Sequence, residues 1–322
     1  MRILHGFDYQ RPGSLEEALA LLERYGDKAR PIAGGTDLVV AMKYRSMLQL
    51  VDGVGTDAAR FASASRMPPM LRPDVVISLA DLAELKGMTT QSNPDVLRVG
   101  PGTTMTEMAE SDIFPPALLA VRDAARAMGS PLIRNQATIG GNIINARPAA
   151  DSAVAALALA GKLQLVSAKS ERWVDASGFF TGPGRTVKRG DELLVAIDLP
   201  FGSDEGSAYL RQGTRRQLEI AIASASTWIK IDPATNVMSD ARISLGAVAP
   251  TPILAPKAAQ ALIGKRPTSV TFAEAGAVAR TETQVIDDYR GSAAYRLEMV
   301  DLLVRRALDI ALSRSQGKGG RS

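Results

Sequence analysis

Apolar residues recur at helical spacing directly after Ser14-Leu15-Glu16-Glu17. Ala18, Leu19, Leu21 and Leu22 share one face, and Gly26 ends the run, so a capped helix is predicted there. A short apolar stretch, Pro31-Ile32-Ala33, then leads through Gly34-Gly35-Thr36-Asp37 into a second apolar run over 38–42. With a strand predicted at 48–52, these form a small β/α unit. Strands are predicted at 75–79, 96–100, 163–166 and 193–197. Helices are predicted at 105–111, at 115–128 with Leu118, Leu119, Val121 and Ala125 inward, and at 153–160, where nearly every residue is apolar. Between them, residues 53–73 are rich in Ala, Ser, Arg, Met and Pro and contain Pro68-Pro69. They read as an inserted surface excursion with one helical turn at 58–62.

Pro, Gly and charge cluster over 200–206, which reads as a linker. Beyond it the pattern predicts strands over 241–249 and helices over 256–262, 271–280 and 293–312. The tail 314–322 has nothing to bury and is expected to be disordered.

Composition narrows the chemistry. The 322 residues contain no cysteine and one histidine, His5. Disulfides, Cys-ligated iron–sulfur clusters, thiolate nucleophiles and zinc fingers are therefore excluded within this chain. A Ser–His–Asp triad would have to use His5, and no G-x-S-x-G elbow accompanies it. Redox chemistry here would need an organic cofactor. A net charge of +4 with 5% aromatics gives little material for nucleic-acid recognition. No apolar run reaches the ~18 residues of a membrane span, and the start turns polar too soon for a signal peptide, so a cytoplasmic location is expected.

Gly34-Gly35 and Gly140-Gly141 each sit between apolar runs beside small hydrogen-bonding residues: Thr36 and Asp37, Thr138 and Asn142. A glycine pair lets backbone approach a ligand closely and lets successive N–H groups converge on a phosphate; two ordinary tight turns are the plain alternative. Gly53-Val54-Gly55-Thr56-Asp57-Ala58 imitates a dinucleotide fingerprint. Asp57 would lie where a pyrophosphate should, and no βαβ unit follows, so the match is discounted. Asp151 reads as a helix N-cap or as an acceptor for ligand hydroxyls. Arg211 with Arg215-Arg216 reads as a solvated basic face.

Three segments together resemble the FAD-binding medium subunit of molybdenum hydroxylases, the flavin chains of xanthine, carbon monoxide and aldehyde dehydrogenases. They are Ala33-Gly34-Gly35-Thr36-Asp37-Leu38, the run from Ile133 to Ile143, and Arg147-Pro148-Ala149-Ala150-Asp151. The runs from Leu245 to Ile253 and from Asp287 to Arg296 resemble that family's C-terminal domain, so the likeness covers nearly the whole chain.

The resemblance implies an α+β fold. It comprises an FAD-binding domain of the vanillyl-alcohol-oxidase type over 1–200, with subdomains over about 1–55 and 74–200. A C-terminal domain over 206–313 would carry a three-stranded antiparallel sheet and helices. It implies that Arg30, Pro31, Ile32, Ala33, Gly34, Gly35, Thr36, Asp37 and Leu38 wrap the FAD pyrophosphate. Thr138, Gly140, Gly141, Asn142 and Ile144 would form the second loop, Asp151 the ribityl-binding carboxylate, and Thr103 and Thr104 a position near the cofactor. Met128 and Leu194 would sandwich the isoalloxazine with Ile220 at its edge, and Arg211 falls where some members have a lysine near the flavin.

No catalytic residue and no metal ligand is implied in this chain. The molybdenum cofactor and the [2Fe–2S] clusters would sit on a large and a small partner subunit, in a dimer of heterotrimers without nucleic acid or membrane span. Two departures stand out: the excursion at 53–73 is longer than the family's usual connection, and the chain cannot hold the iron–sulfur insertion of some relatives. A stand-alone flavin oxidase or reductase, and a scaffold that has lost its flavin, remain the alternatives.

Overall fold

The structure is a computed structural model that describes residues 6–43, 72–91, 95–215 and 218–317. The strand expected at 48–52, the helical turn at 58–62, Pro68-Pro69, the glycine run from Gly53, His5 and Arg216 lie outside the described residues.

The first unit holds β1 (Asp8–Gln10), α1 (Leu15–Tyr25), β2 (Ala29–Ile32), α2 (described over 38–43) and β3 (Val75–Ser78). Its three described strands run parallel in the order β1-β3-β2. Every residue of β3 is buried, as a central parallel strand requires. The Ser14 hydroxyl accepts from the Glu17 amide and so caps α1, while the Glu17 carboxylate accepts from Gly13 N rather than closing a box on Ser14. Ala18, Leu19 and Leu22 of α1 pack with Val75, Ile77 and Leu193.

The second unit begins with β4 (Met88–Gln91) and β5 (Val96–Val99). Five helices follow: α3 (Met105–Glu110), α4 (Leu119–Ala127), α5 (Pro131–Arg134), α6 (Ile139–Asn145) and α7 (Asp151–Ala158). Then come β6 (Lys162–Val166), β7 (Glu171–Asp175), the short pair β8 (Phe180–Gly182) and β9 (Arg185–Thr186), and β10 (Leu193–Pro200). The main sheet is antiparallel in the order β4-β5-β10-β6-β7. Alternation along β10 makes it a shared wall: Leu194 joins the core of this unit, whereas Leu193 and Val195 face the core of the first.

The C-terminal domain has a four-stranded antiparallel sheet rather than the three strands expected: β11 (Glu205–Gln212), β12 (Ala223–Asp232), β13 (Val237–Gly246) and β14 (Ile253–Leu254). The extra strand has only two residues, and its pairing with Ser244 and Leu245 defines it. Helices α8 (Pro256–Gln260), α9 (Ser269–Thr281) and α10 (Ala293–Ser315) complete the domain.

Two boundaries differ from the sequence reading. Glu205 and Gly206, placed in the linker, are buried in β11. A Cβ on Gly206 would stand 2.0 Å from the Ala311 carbonyl oxygen, so α10 lies directly on that backbone. The start of the tail expected from Arg314 is helical instead: α10 continues through Ser315 and Arg314 is bonded inward; residues 318–322 lie outside the described residues. No described helix is long and apolar enough to cross a membrane.

Candidate functional site

The first glycine loop links β2 to α2. Gly35 takes φ +71°, the left-handed region in which glycine avoids strain. The amides of Val39 and Ala41 return to the carbonyls of Gly35 and Asp37, starting α2. Among the described residues, the amides of Gly34, Gly35, Thr36, Asp37 and Leu38 donate to no protein acceptor. Five successive open N–H groups at a helix start make a concavity suited to an anion. Arg30 folds back onto the carbonyls of Asp27 and Ala29, and Pro31 and Ile32 are half-buried strand residues.

The second glycine loop behaves differently. Ile139 N donates to Thr103 O, Gly140 N to Pro101 O, Gly141 N to the Thr138 hydroxyl and Asn142 N to Thr138 O. Its amides are spent inside the protein, so it offers close approach and side chains instead of an amide cradle. Gly140 is the tight glycine: a Cβ there would lie 2.4 Å from Pro101 Cβ. Gly141 is exposed, and a Cβ there would meet only the Thr138 hydroxyl at 3.0 Å. Thr103 is buried with its hydroxyl bonded to Gly87, and Thr104 caps α3 with Glu107, so both hydroxyls are committed to the frame. Asn142 Oδ1 accepts from Ser152 N at the start of α7.

The two loops face each other. Gly34 lies against the Gln136 backbone so closely that a Cβ would stand 1.7 Å from its carbonyl oxygen. Asp37 is within reach of Asn145 at the end of α6 and of Arg147 just beyond it; desolvation raises its carboxyl, against the pull of Arg147 and Asn145.

Asp151 opens α7 without capping it. Ala150 is the N-cap and makes no side-chain bond. The Asp151 carboxylate is 4% exposed and receives the Tyr209 hydroxyl at 2.5 Å on Oδ1, with Arg211 Nη1 3.5 Å from the same oxygen. Arg211 is thus buried between Asp151 and the Glu219 carbonyl rather than on a solvated face, unlike the exposed Arg215, which pairs with Glu219. Burial raises the Asp151 carboxyl, and Arg211 and Tyr209 oppose that rise.

The apolar residues divide as well. Met128 and Ile144 are partly buried against the main core, Ile220 is 53% exposed, and Leu194 is 5% exposed within that core. Two open cavities of about 470 and 420 Å³ lie away from the glycine loops, one beside β8 and β14 and one beside α3 and α5. The described residues hold no group of three acidic or histidine side chains able to bind a metal.

The family profile for the FAD binding domain in molybdopterin dehydrogenase matches residues 5–53 and 65–202, more than half of the chain. The chain belongs to that family. It is an FAD-binding flavoprotein subunit of an oxidoreductase, and residues 208–311 match the CO dehydrogenase flavoprotein C-terminal domain. Similar proteins include the xanthine dehydrogenase FAD-binding subunit of Escherichia coli O157:H7, 30% identical over 96% of this chain and 97% of that one. The carbon monoxide dehydrogenase medium chain of Afipia carboxidovorans is also 30% identical, over 96% and 98%. The structure of reconstituted CO dehydrogenase from Oligotropha carboxidovorans contains a chain that matches with a TM-score of 0.83 at 29% identity, over 97% of this chain and 99% of that one.

The open amides of the first loop fit the pyrophosphate of such a cofactor, and the acceptor-only Asp151 carboxylate fits its hydroxyls. Sequence reasoning missed Tyr209, Asn145 and Pro101, and singled out no role for Gln136 within the run from Ile133 to Ile143; each of the four acts through residues distant in the chain. Asp151→Asn should weaken FAD binding by at least tenfold, the scale of a lost charge-assisted bond. Because Asp151 does not cap α7, little helix stability should be lost; FAD titration and melting of the flavin-free chain check both.

Proposed function

We propose that the chain is the electron-transfer subunit of a molybdenum hydroxylase. Electrons from a [2Fe–2S] cluster on a small partner chain would reach an external acceptor by way of its FAD, while a large partner carries the molybdenum cofactor and the substrate. The observation that carries this reading is the row of amides from Gly34 to Leu38, open among the described residues, beside the Gln136 backbone against which Gly34 packs. In the proposed site the pyrophosphate lies on that row and the ribityl chain meets Asp151. The ring lies by Met128 and Ile220, with Leu194 beneath and Arg211 near its polar edge.

FAD, when bound, supplies the redox chemistry; the chain supplies position and electrostatics. Beneath it, the vanillyl-alcohol-oxidase type is the fold proposed for residues 1–200, a dimer of heterotrimers the assembly, and the cytoplasm the location. FAD should be bound non-covalently, since the chain has no cysteine and its one histidine, His5, lies far in sequence from both glycine loops. Acid precipitation of the purified chain is expected to release the flavin into the supernatant in a 1:1 ratio. Flavin retained in the pellet would contradict the site.

A further inference from the structure

Asp151 belongs to α7 of the FAD-binding domain, but the groups that hold its carboxylate come from the C-terminal domain. Tyr209 and Arg211 are two residues apart on β11, so their side chains leave the same face of the strand. Both reach Oδ1, the hydroxyl at 2.5 Å and the guanidinium at 3.5 Å, and the carboxylate also accepts from its own backbone amide. Tyr209 is 2% exposed, and its backbone is tied down in turn, the amide donating to Asp123 Oδ2 at 3.2 Å.

We propose that Tyr209 is a positioning residue for the flavin site. Its hydroxyl pins one oxygen of Asp151, turns the other toward the cleft between the glycine loops, and so makes FAD binding depend on the seating of β11. This rests on the reading that Asp151 meets the ribityl chain.

The chemistry favours a fixed donor. Burial first, and the Asp151 charge second, keep the tyrosine hydroxyl protonated well above the ordinary tyrosine range. The hydroxyl therefore remains a donor at every working pH. Asp151 is acted on by Arg211 and Tyr209 from β11 and by its own amide on α7. Ser152, the next residue on α7, and Asn142, which accepts from the Ser152 amide, are uncharged. Removing the hydroxyl leaves burial less opposed, so the carboxyl rises further and takes up its proton at higher pH. A protonated Asp151 no longer offers the ribityl chain an ionised acceptor.

The test is FAD titration of the flavin-stripped full chain by quenching of flavin fluorescence, from mildly acidic to mildly alkaline pH. The variants are Tyr209→Phe, Asp151→Asn and the two combined, with melting of each stripped protein alongside. Tyr209→Phe removes one oxygen and no carbon. It should weaken FAD binding about tenfold and move the acid limb of the affinity profile to higher pH, with no such move when Asp151→Asn is already present. Tyr209→3-fluorotyrosine, a stronger donor of nearly the same shape, should move that limb to lower pH and keeps the test open if the Phe variant fails to fold. An affinity loss equal at all pH values, or one that persists unchanged with Asp151→Asn, would reduce Tyr209 to a packing residue. FAD affinity unchanged by Asp151→Asn would instead overturn the ribityl assignment on which the proposal stands, whatever Tyr209 does.

Discussion

Gly34→Val is expected to abolish FAD binding at micromolar concentrations while leaving a folded chain. Any Cβ at this position would lie 1.7 Å from the Gln136 carbonyl oxygen and 2.4 Å from its carbon, and backbone atoms cannot rotate away as a side-chain end can. The loop must therefore lift from the segment that precedes α6, taking its open amides out of line. Losing two charge-assisted bonds to phosphate costs about 3–6 kcal/mol, which is more than a hundredfold in affinity. The core need not suffer, because Gly34 lies in a partly exposed loop. Gly141→Ala is the informative contrast. That glycine is helical and exposed, alanine favours helix, and the change should cost less than about tenfold. Isothermal titration with FAD, with melting of the stripped proteins, checks both. Wild-type affinity in Gly34→Val would remove the first loop from the pyrophosphate site.

The second large effect concerns the seam between the domains. Arg314, near the end of α10, donates Nη1 to Asp123 Oδ2 at 2.5 Å and to the Ser207 carbonyl at 2.7 Å, and Nη2 to Asp123 Oδ1 at 3.0 Å. Arg314 and Asp123 are 16% and 17% exposed, so this is a largely buried, two-pronged pair joining α10 to α4. Arg314→Leu strands the Asp123 carboxylate with the Tyr209 amide as its remaining partner. Breaking such a pair from one side costs roughly 3–5 kcal/mol. At this chain length that corresponds to a fall in Tm on the order of 10 °C. Adding Asp123→Leu should restore part of the loss, because both buried charges are then gone. A fall smaller than about 1 kcal/mol in Arg314→Leu, measured by denaturant unfolding, would show that the seam is held elsewhere.

The same residue shows what sequence pattern conveys and what it omits. Helical periodicity reveals α1, α4, α9 and most of α10, because each carries its own apolar stripe, and α1, α9 and α10 also have a capping Ser or Thr. Arg314 looks like the start of a solvated tail because its partner lies 191 residues earlier. Strands β11 and β12 are not visible in the pattern: Glu205-Gly206-Ser207-Ala208 and Ala223-Ser224-Ala225-Ser226 are small and polar-looking, and their burial comes from α10 and neighbouring strands. Strand β14 is two residues long and exists through its pairing.

At the site, the glycine pairs are legible as pairs, but their division of labour is not. The first has open amides and a close contact with Gln136; the second has its amides spent on Thr103, Pro101 and Thr138. The Asp151 position is legible from its motif. That it fails to cap α7, and is held by Tyr209 and Arg211, depends on a contact between residues 58 apart.

The most direct test of the central claim is anaerobic bleaching of the flavin absorbance in the FAD-loaded chain with aldehydes, purines and N-heterocycles, with and without the molybdenum and iron–sulfur chains. The single chain has no cysteine for a cluster and none of the proposed substrate chemistry. The account predicts that its FAD accepts electrons from an artificial reductant, but from an organic substrate only after the partner chains are added back. Bleaching by such a substrate in the purified single chain would contradict the subunit reading and make the protein a self-sufficient flavoenzyme.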